Sequence, residues 1–148
     1  MDIAPETRSV SKTALWIGRV LSAVPVLMLL LSAAMKFAQP EGMAKGFNEL
    51  GWPMRFALGL GILEAACAII YVIPQTAVLG AILITGYLGG ATATHLRVGQ
   101  PAFLAPPILG AIAWLGLLLR EPRLRGLLPF RTSSRPAVEI ASPASTNG

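Results

Sequence analysis

The chain has 148 residues, 54% of them hydrophobic and only 13% charged, with a mean hydropathy of +0.65. Soluble domains carry about 25% charged residues, so a soluble fold of this length has too little polar surface to hide so much apolar side chain; one membrane domain needs no such cover. The net charge is +5, but the basic residues sit at the edges of apolar runs with few aromatics between them, which argues against nucleic-acid binding and for contact with the headgroups of a lipid bilayer.

Residues 1–12 are polar and read as a flexible tail. The first apolar run, 13–35, contains Arg19 and Pro25. Its basic start, apolar middle and Ser32-Ala33-Ala34 are also the parts of a secretory signal peptide; Arg19 inside the run and its full spanning length argue for retention. The link 36–55 places Met43, Phe47 and Leu50 on one face of a short interfacial helix. Gly51-Trp52-Pro53 ends it, and Trp52 suits the headgroup boundary. The second run, 56–73, contains Glu64. Pro74-Gln75 then makes a tight hairpin, so the second and third helices are antiparallel neighbours. The third run, 76–94, carries no formal charge, and the fourth, 102–119, has Pro106-Pro107 near its start. Residues 13–131 form the membrane domain. From 132 to 148 Ser, Thr, Pro and Ala dominate, which predicts disorder.

Each run approaches the ~20 residues that cross a hydrocarbon core. Within lipid such runs must be helical, because unpaired backbone groups would cost several kcal/mol each. The expected fold class is therefore all-α: a four-helix transmembrane bundle with a short interfacial helix between the first and second helices. Four crossings put both termini on one side. That side holds Arg8, Lys12, Arg19, Arg120, Arg123, Arg125, Arg131 and Arg135, and the other holds Lys36, Lys45, Arg55 and Arg97. The excess predicts a multi-pass protein of the cytoplasmic membrane with both termini in the cytoplasm.

The polar residues inside the runs carry the functional argument. Glu64 lies mid-run, where an ionised carboxylate is expensive. Ala57, Gly61, Ala68 and Tyr71 share its helix face, while Leu58, Ile62, Ile69 and Ile73 lie opposite, so the small face is expected inside the bundle. Arg19 lies about 9 Å and Glu64 about 13 Å from the same membrane face by helical rise. An Arg19–Glu64 ion pair is the expectation, with Tyr87 at similar depth as a hydrogen-bond partner. Two readings of this intramembrane polar site stay open: a pair that fixes packing and register, or a proton or ligand site.

Gly86, Gly89 and Gly90 surround Tyr87, and Gly86 with Gly90 forms a G-x-x-x-G pair that permits close backbone approach. With small residues around its whole circumference, this helix is expected at the centre of the bundle or at a contact in a homo-oligomer; Gly61 is expected to pack closely as well. Lys36, Trp52, His95 and Arg97 are expected at the opposite interface, with Lys36 snorkelling to the surface. One His cannot supply both axial ligands of a haem. Cys67 is the single cysteine, which excludes an intramolecular disulfide; no metal-binding constellation is visible, and Cys67 reads as a small buried apolar residue.

These residues resemble the DoxX-like family of small bacterial and archaeal membrane proteins over residues 13–131. The resemblance rests on Arg19, Ser32-x-x-x-Lys36-Phe37, Gly51-Trp52-Pro53, Gly61-Ile62-Leu63-Glu64 and the stretch from Pro74-Gln75-Thr76 to Gly80-Ala81. It continues through Thr85-Gly86-Tyr87-Leu88-Gly89-Gly90-Ala91, Thr94-His95-Leu96-Arg97 and Arg120-Glu121-Pro122-Arg123-Leu124-Arg125. It implies a four-helix membrane protein, in a family named after a membrane subunit of a thiosulfate:quinone oxidoreductase and with relatives linked to redox stress through partner proteins. The implied role is an accessory subunit of a quinone-linked redox system with a soluble or membrane redox partner. The absence of a Cys pair argues against autonomous thiosulfate oxidation. A non-catalytic scaffold and a small transporter are the alternatives, and no substrate follows from the residues themselves.

Overall fold

The structure, a computed structural model, describes residues 11–121 and Leu124. The tail readings at 1–10 and 132–148, and Arg8, Arg123, Arg125, Arg131 and Arg135, lie outside these residues. Lys12, assigned to the tail by its charge, is the first residue of a helix.

Among the described residues five α-helices are bounded: α1 (Lys12–Ala38), α2 (Met43–Glu49), α3 (Ala57–Val72), α4 (Ala77–Arg97) and α5 (Ala105–Arg120). Short 3-10 turns at Met54–Phe56 and Pro101–Leu104 lead into α3 and α5. With these turns counted, four helical spans among the described residues are long and apolar enough to cross a membrane. The chain is a multi-pass membrane protein. Both long helices that run away from the termini extend past their apolar runs, α1 through Lys36 and α4 through His95 and Arg97. The prolines sit where helix tolerates them: Pro106 and Pro107 occupy the first turn of α5, whose N–H groups have no intrahelical partner. Pro25 alone lies inside a helix, buried in α1.

The long helices form a ring in which α1 packs on α3 and α5, and α4 packs on the same two. α1 and α4 are therefore diagonal, and α2 lies outside the ring, presenting Met43, Phe47 and Leu50 as its half-buried face. We call the end holding Lys12 and Arg120 proximal, and the end holding α2, His95 and Arg97 distal.

Small residues set the spacing of the ring. Gly18 and Gly116 bring α1 and α5 together: a Cβ on Gly116 would stand 2.6 Å from Ser22 Oγ, and one on Gly18 2.9 Å from the Gly116 carbonyl. Gly80 lets α4 lie directly on the backbone of Tyr71, where any Cβ would collide. Gly61 allows α3 to meet α1 at Phe37 and Lys36. The expected packing role of Gly86, Gly89 and Gly90 is corrected for the chain itself. A Cβ at any of the three would meet nothing within 4 Å, so α4 is one wall of the ring and not its centre. The reason is that its inward face is Ala77, Gly80, Ala81, Ile84 and Leu88, which leaves the later glycines facing outward.

The apolar outer surface is what a bilayer requires. Leu58, Ile62 and Ile69 of α3 are exposed, while Ala57, Gly61, Glu64, Cys67, Ala68 and Tyr71 are buried. The core between the four helices is formed by Val26, Leu29, Tyr71, Ile84, Leu88 and Leu117 with small residues around them.

Candidate functional site

Glu64 is the only acidic residue buried among those described, at 3% exposure. It sits seven residues into α3, about 10 Å along the helix axis, and faces both α1 and α4. Its two carboxylate oxygens are fully engaged. Lys36 Nζ donates to Oε2 at 2.9 Å in an ion pair. Ser32 Oγ donates to Oε1 at 3.0 Å, and Tyr87 Oη donates to the same oxygen at 2.6 Å. Lys36 Nζ also donates to Ser32 Oγ at 2.6 Å, one turn back along α1. Three helices thus converge on one carboxylate, and its charge is compensated by the chain's own donors.

The expected Arg19–Glu64 pair is not formed. Arg19 is exposed on the outside of α1, its guanidinium carbon 5.9 Å from the ring centroid of Trp16. Nor does Lys36 snorkel outward. Arg19 lies off the face of α1 that Gly18, Ser22, Leu29 and Ala33 turn inward, and side-chain direction separates the two cations further. In a helix the Cα–Cβ bonds tilt toward the N-terminus. α1 runs from the proximal to the distal end, so Arg19 leans toward its own nearby surface and Lys36 leans back into the bundle. α3 runs the other way, so Glu64 leans distally, toward Lys36. The bare backbone of Gly61, next to which Lys36 Cβ packs, opens the path between them. Helical rise placed Arg19 and Glu64 at similar depth; side-chain direction decides the partner.

The interfacial residues lie together at the distal end. Trp52 stands edge-on to Phe56 with ring centroids 5.9 Å apart. His95 Nδ1 and Gln100 Oε1 are 2.8 Å apart, a pairing in which the ring N–H donates. Arg97 donates to the Leu50 carbonyl at 2.7 Å, tying the end of α4 to the end of α2. None of these reaches Glu64. Of the sequence-derived site residues, Glu64 and Tyr87 come together, joined by Lys36 and by Ser32. Ser32 stands in the sequence only as part of the Ser32-x-x-x-Lys36 motif; its i, i+4 relation to Lys36 on α1 is the signal that sets the two side by side.

A second buried polar cluster centres on Tyr71, whose place on the inward face of α3 follows from helical period but whose partners do not. Tyr71, fully buried, donates from Oη to the Ala113 carbonyl at 2.7 Å, and Ser22 Oγ lies 3.0 Å from the same oxygen. Arg120 donates to the Tyr71 carbonyl at 3.0 Å and sets its guanidinium carbon 4.7 Å from the Tyr71 ring centroid.

A model of the family described as DoxX-like matches residues 20–116. The chain is also similar to the protoheme IX farnesyltransferase of Azotobacter vinelandii, 38% identical over 97 residues, which are 61% of this chain and 31% of that protein. The protoheme IX farnesyltransferase 1 of Pseudomonas putida (strain F1) is 33% identical over 107 residues, 68% of this chain and 36% of that protein. The chain therefore spans about a third of the length of the curated relatives it matches. No solved structure matches it.

Proposed function

The chain belongs to the DoxX-like family, and from that membership we propose that it is a membrane-embedded accessory subunit of a quinone-linked redox system. The observation that carries this reading is the Glu64 carboxylate, buried within the spans and surrounded by the donors of Ser32, Lys36 and Tyr87. A quinone, when bound, supplies a lipid-soluble acceptor for two electrons and two protons. Its carbonyl oxygens only accept hydrogen bonds, and the cluster consists of donors gathered on one acid, so the residue types fit. Lys36 and Tyr87 are the donors that would hold a carbonyl oxygen. Glu64 is the group that takes or gives a proton: once protonated it no longer holds Lys36 and Tyr87 by charge, and their N–H and O–H groups become available. Electrons come from a partner protein, soluble or in the membrane. By sequence alone, the residues at the two ends of the chain carry more Lys and Arg than those between the spans, and on that count the proximal end is assigned to the cytoplasm.

A non-catalytic scaffold is the second reading. It is favoured by the closure of the cluster: among the described residues, every buried side-chain nitrogen or oxygen has a hydrogen-bond partner. Farnesyl transfer, the activity in the relatives' names, is not carried over to a chain that spans about a third of those proteins.

Purification from native membranes in mild detergent, with quantification of bound quinone, tests the proposal. Quinone at about one per chain, lost in Glu64→Gln and Tyr87→Phe, is the expected result. A stoichiometric partner protein without quinone assigns the scaffold role, and quinone unaffected by both substitutions removes the cluster from the reading.

A further inference from the structure

The distal end holds a cleft that the Glu64 cluster does not use. It measures about 390 Å³ and lies between the link that follows α2 and the last turns of α4, with Trp52, Phe56, Ala93, Thr94 and Arg97 on its walls. Its position is interfacial: Trp52 is the type of residue that rests at headgroup level, and Arg97 is the last residue of α4.

Three features define what it accepts. The first is charge. Arg97 spends one guanidinium nitrogen on the Leu50 carbonyl, which holds the group across the cleft. Gly51 makes this approach possible: its φ is +71°, and a Cβ there would stand 2.9 Å from the guanidinium. A guanidinium has five N–H donors, so most remain for a ligand. Arg55 does not line the cleft, but its guanidinium carbon is 5.0 Å from the ring centroid of Phe56, which does. Among the described residues neither arginine is in an ion pair. The one charged side chain on the cleft wall, Arg97, is therefore a cation without an ion-pair partner among the described residues. The second feature is apolar: Trp52 and Phe56 offer ring faces and edges beneath the charges.

The third feature is continuity. Successive turns of α4 place Gly86, Gly90, Ala93 and Arg97 in one line. The cleft covers Ala93 and Arg97, and below it the helix surface at Gly86, Gly89 and Gly90 is bare to 4 Å. From Arg97 to Gly86 this shallow trough runs about 16 Å by helical rise. Half of a ~30 Å hydrocarbon core is about 15 Å, the depth one acyl chain occupies in its leaflet.

We propose that the distal cleft and the glycine trough form one binding site for an anionic phospholipid of the bilayer. Its phosphate sits on Arg97, its glycerol region lies against Trp52 and Phe56, and one acyl chain lies along Gly86, Gly89 and Gly90. The site is independent of the Glu64 cluster and of any redox role.

Native mass spectrometry of the full chain in mild detergent, with phosphatidylglycerol and phosphatidylcholine of identical acyl chains, provides the test. The wild type is expected to retain one phosphatidylglycerol in preference to phosphatidylcholine. Arg97→Gln is expected to weaken that retention about fivefold, the weight of one basic residue near an anionic surface. Because this change also cuts the bond to Leu50, Gly90→Leu is the second variant. Its Cβ meets nothing within 4 Å, so it fills the trough from the helix surface, and it is expected to lower retention of the lipid while thermal stability does not fall below the wild-type level. Equal retention of the two lipids by the wild type overturns the proposal, as does undiminished retention in both variants. So does a wild type that runs as a dimer in the same spectra and a Gly90→Leu protein that keeps its lipid but runs as a monomer, because a second copy of the chain is then the occupant of the trough.

Discussion

The distal and proximal halves of the bundle are each tied by a polar cluster across three helices, but one is ionic and the other neutral at its centre. Distally, Lys36 and Ser32 of α1 and Tyr87 of α4 meet on Glu64 of α3. Proximally, Ser22 of α1 and the Ala113 carbonyl of α5 meet on the hydroxyl of Tyr71 of α3. α3 is common to both, so the two clusters together fasten it to every other helix of the ring. The difference lies in what happens when a partner is removed. A neutral group left alone in an apolar interior loses about one hydrogen bond. A charge left alone has neither water nor counter-ion, and the penalty falls on whichever partner remains.

The largest expected effect therefore comes from unpairing the distal cluster. Lys36→Met or Glu64→Leu alone should each destabilise the folded protein by about 3 kcal/mol or more, the scale of an uncompensated charge in a buried or bilayer site. The double variant should recover most of that loss, because neither charge is then stranded. A double-mutant cycle read by SDS-induced unfolding in micelles measures the coupling. Additive losses would mean that Lys36 and Glu64 do not share their charge compensation.

Tyr71→Phe sharpens the contrast from the other side. Interhelical hydrogen bonds in membrane proteins are worth about 0.6–2 kcal/mol, and the loss here should fall in that range. Unlike the distal pair, it should not be rescued by also changing Ser22 to Ala. The remaining acceptor is the backbone carbonyl of Ala113, which no side-chain substitution removes. Rescue by the double change, measured in the same unfolding assay, would show that Ser22 and not Ala113 is the partner that matters.

Much of the fold was legible because lipid leaves few options. Four apolar runs had to be helices, the division of α3 into a small inward face and a bulky outward one followed from helical period, and Pro74-Gln75 left room only for a hairpin. The burial of Glu64 and its contact with Tyr87 could be reached from depth and face. The ion-pair partner could not, because depth along an axis says nothing about the direction in which a side chain leans, and Lys36 looked interfacial by position alone. The glycines misled for a related reason. Gly86 and Gly90 have the spacing of a contact motif, but which glycines face inward depends on how α4 is rotated in the ring, and Gly80 won because it faces Tyr71. Gly18 and Gly116 lie in different runs, and only the ring order, with α1 beside α5, makes them partners. The Tyr71 cluster stayed hidden because one of its acceptors is a main-chain carbonyl, which no residue type announces.

The smallest effect is the most direct check on the direction of the side chains. Arg19 sits in the first helix at nearly the depth that seemed right for Glu64, yet it is exposed beside Trp16. Its cation–π contact is at an exposed site, worth about 0.5–1 kcal/mol at most, and its charge leans to the nearby surface, where headgroups and water solvate it. Arg19→Gln should therefore change unfolding stability by no more than about 0.5–1 kcal/mol, against the several-fold larger loss for Lys36→Met. The ratio of the two is the informative quantity. Two basic residues on one helix, both within reach of the same acid by depth alone, should differ because one lies on the turn that leans inward. Equal losses would place both cations on Glu64 and remove the asymmetry between the two ends of α1; a loss confined to Lys36 ties the charge of the distal cluster to the polarity of the helix that carries it.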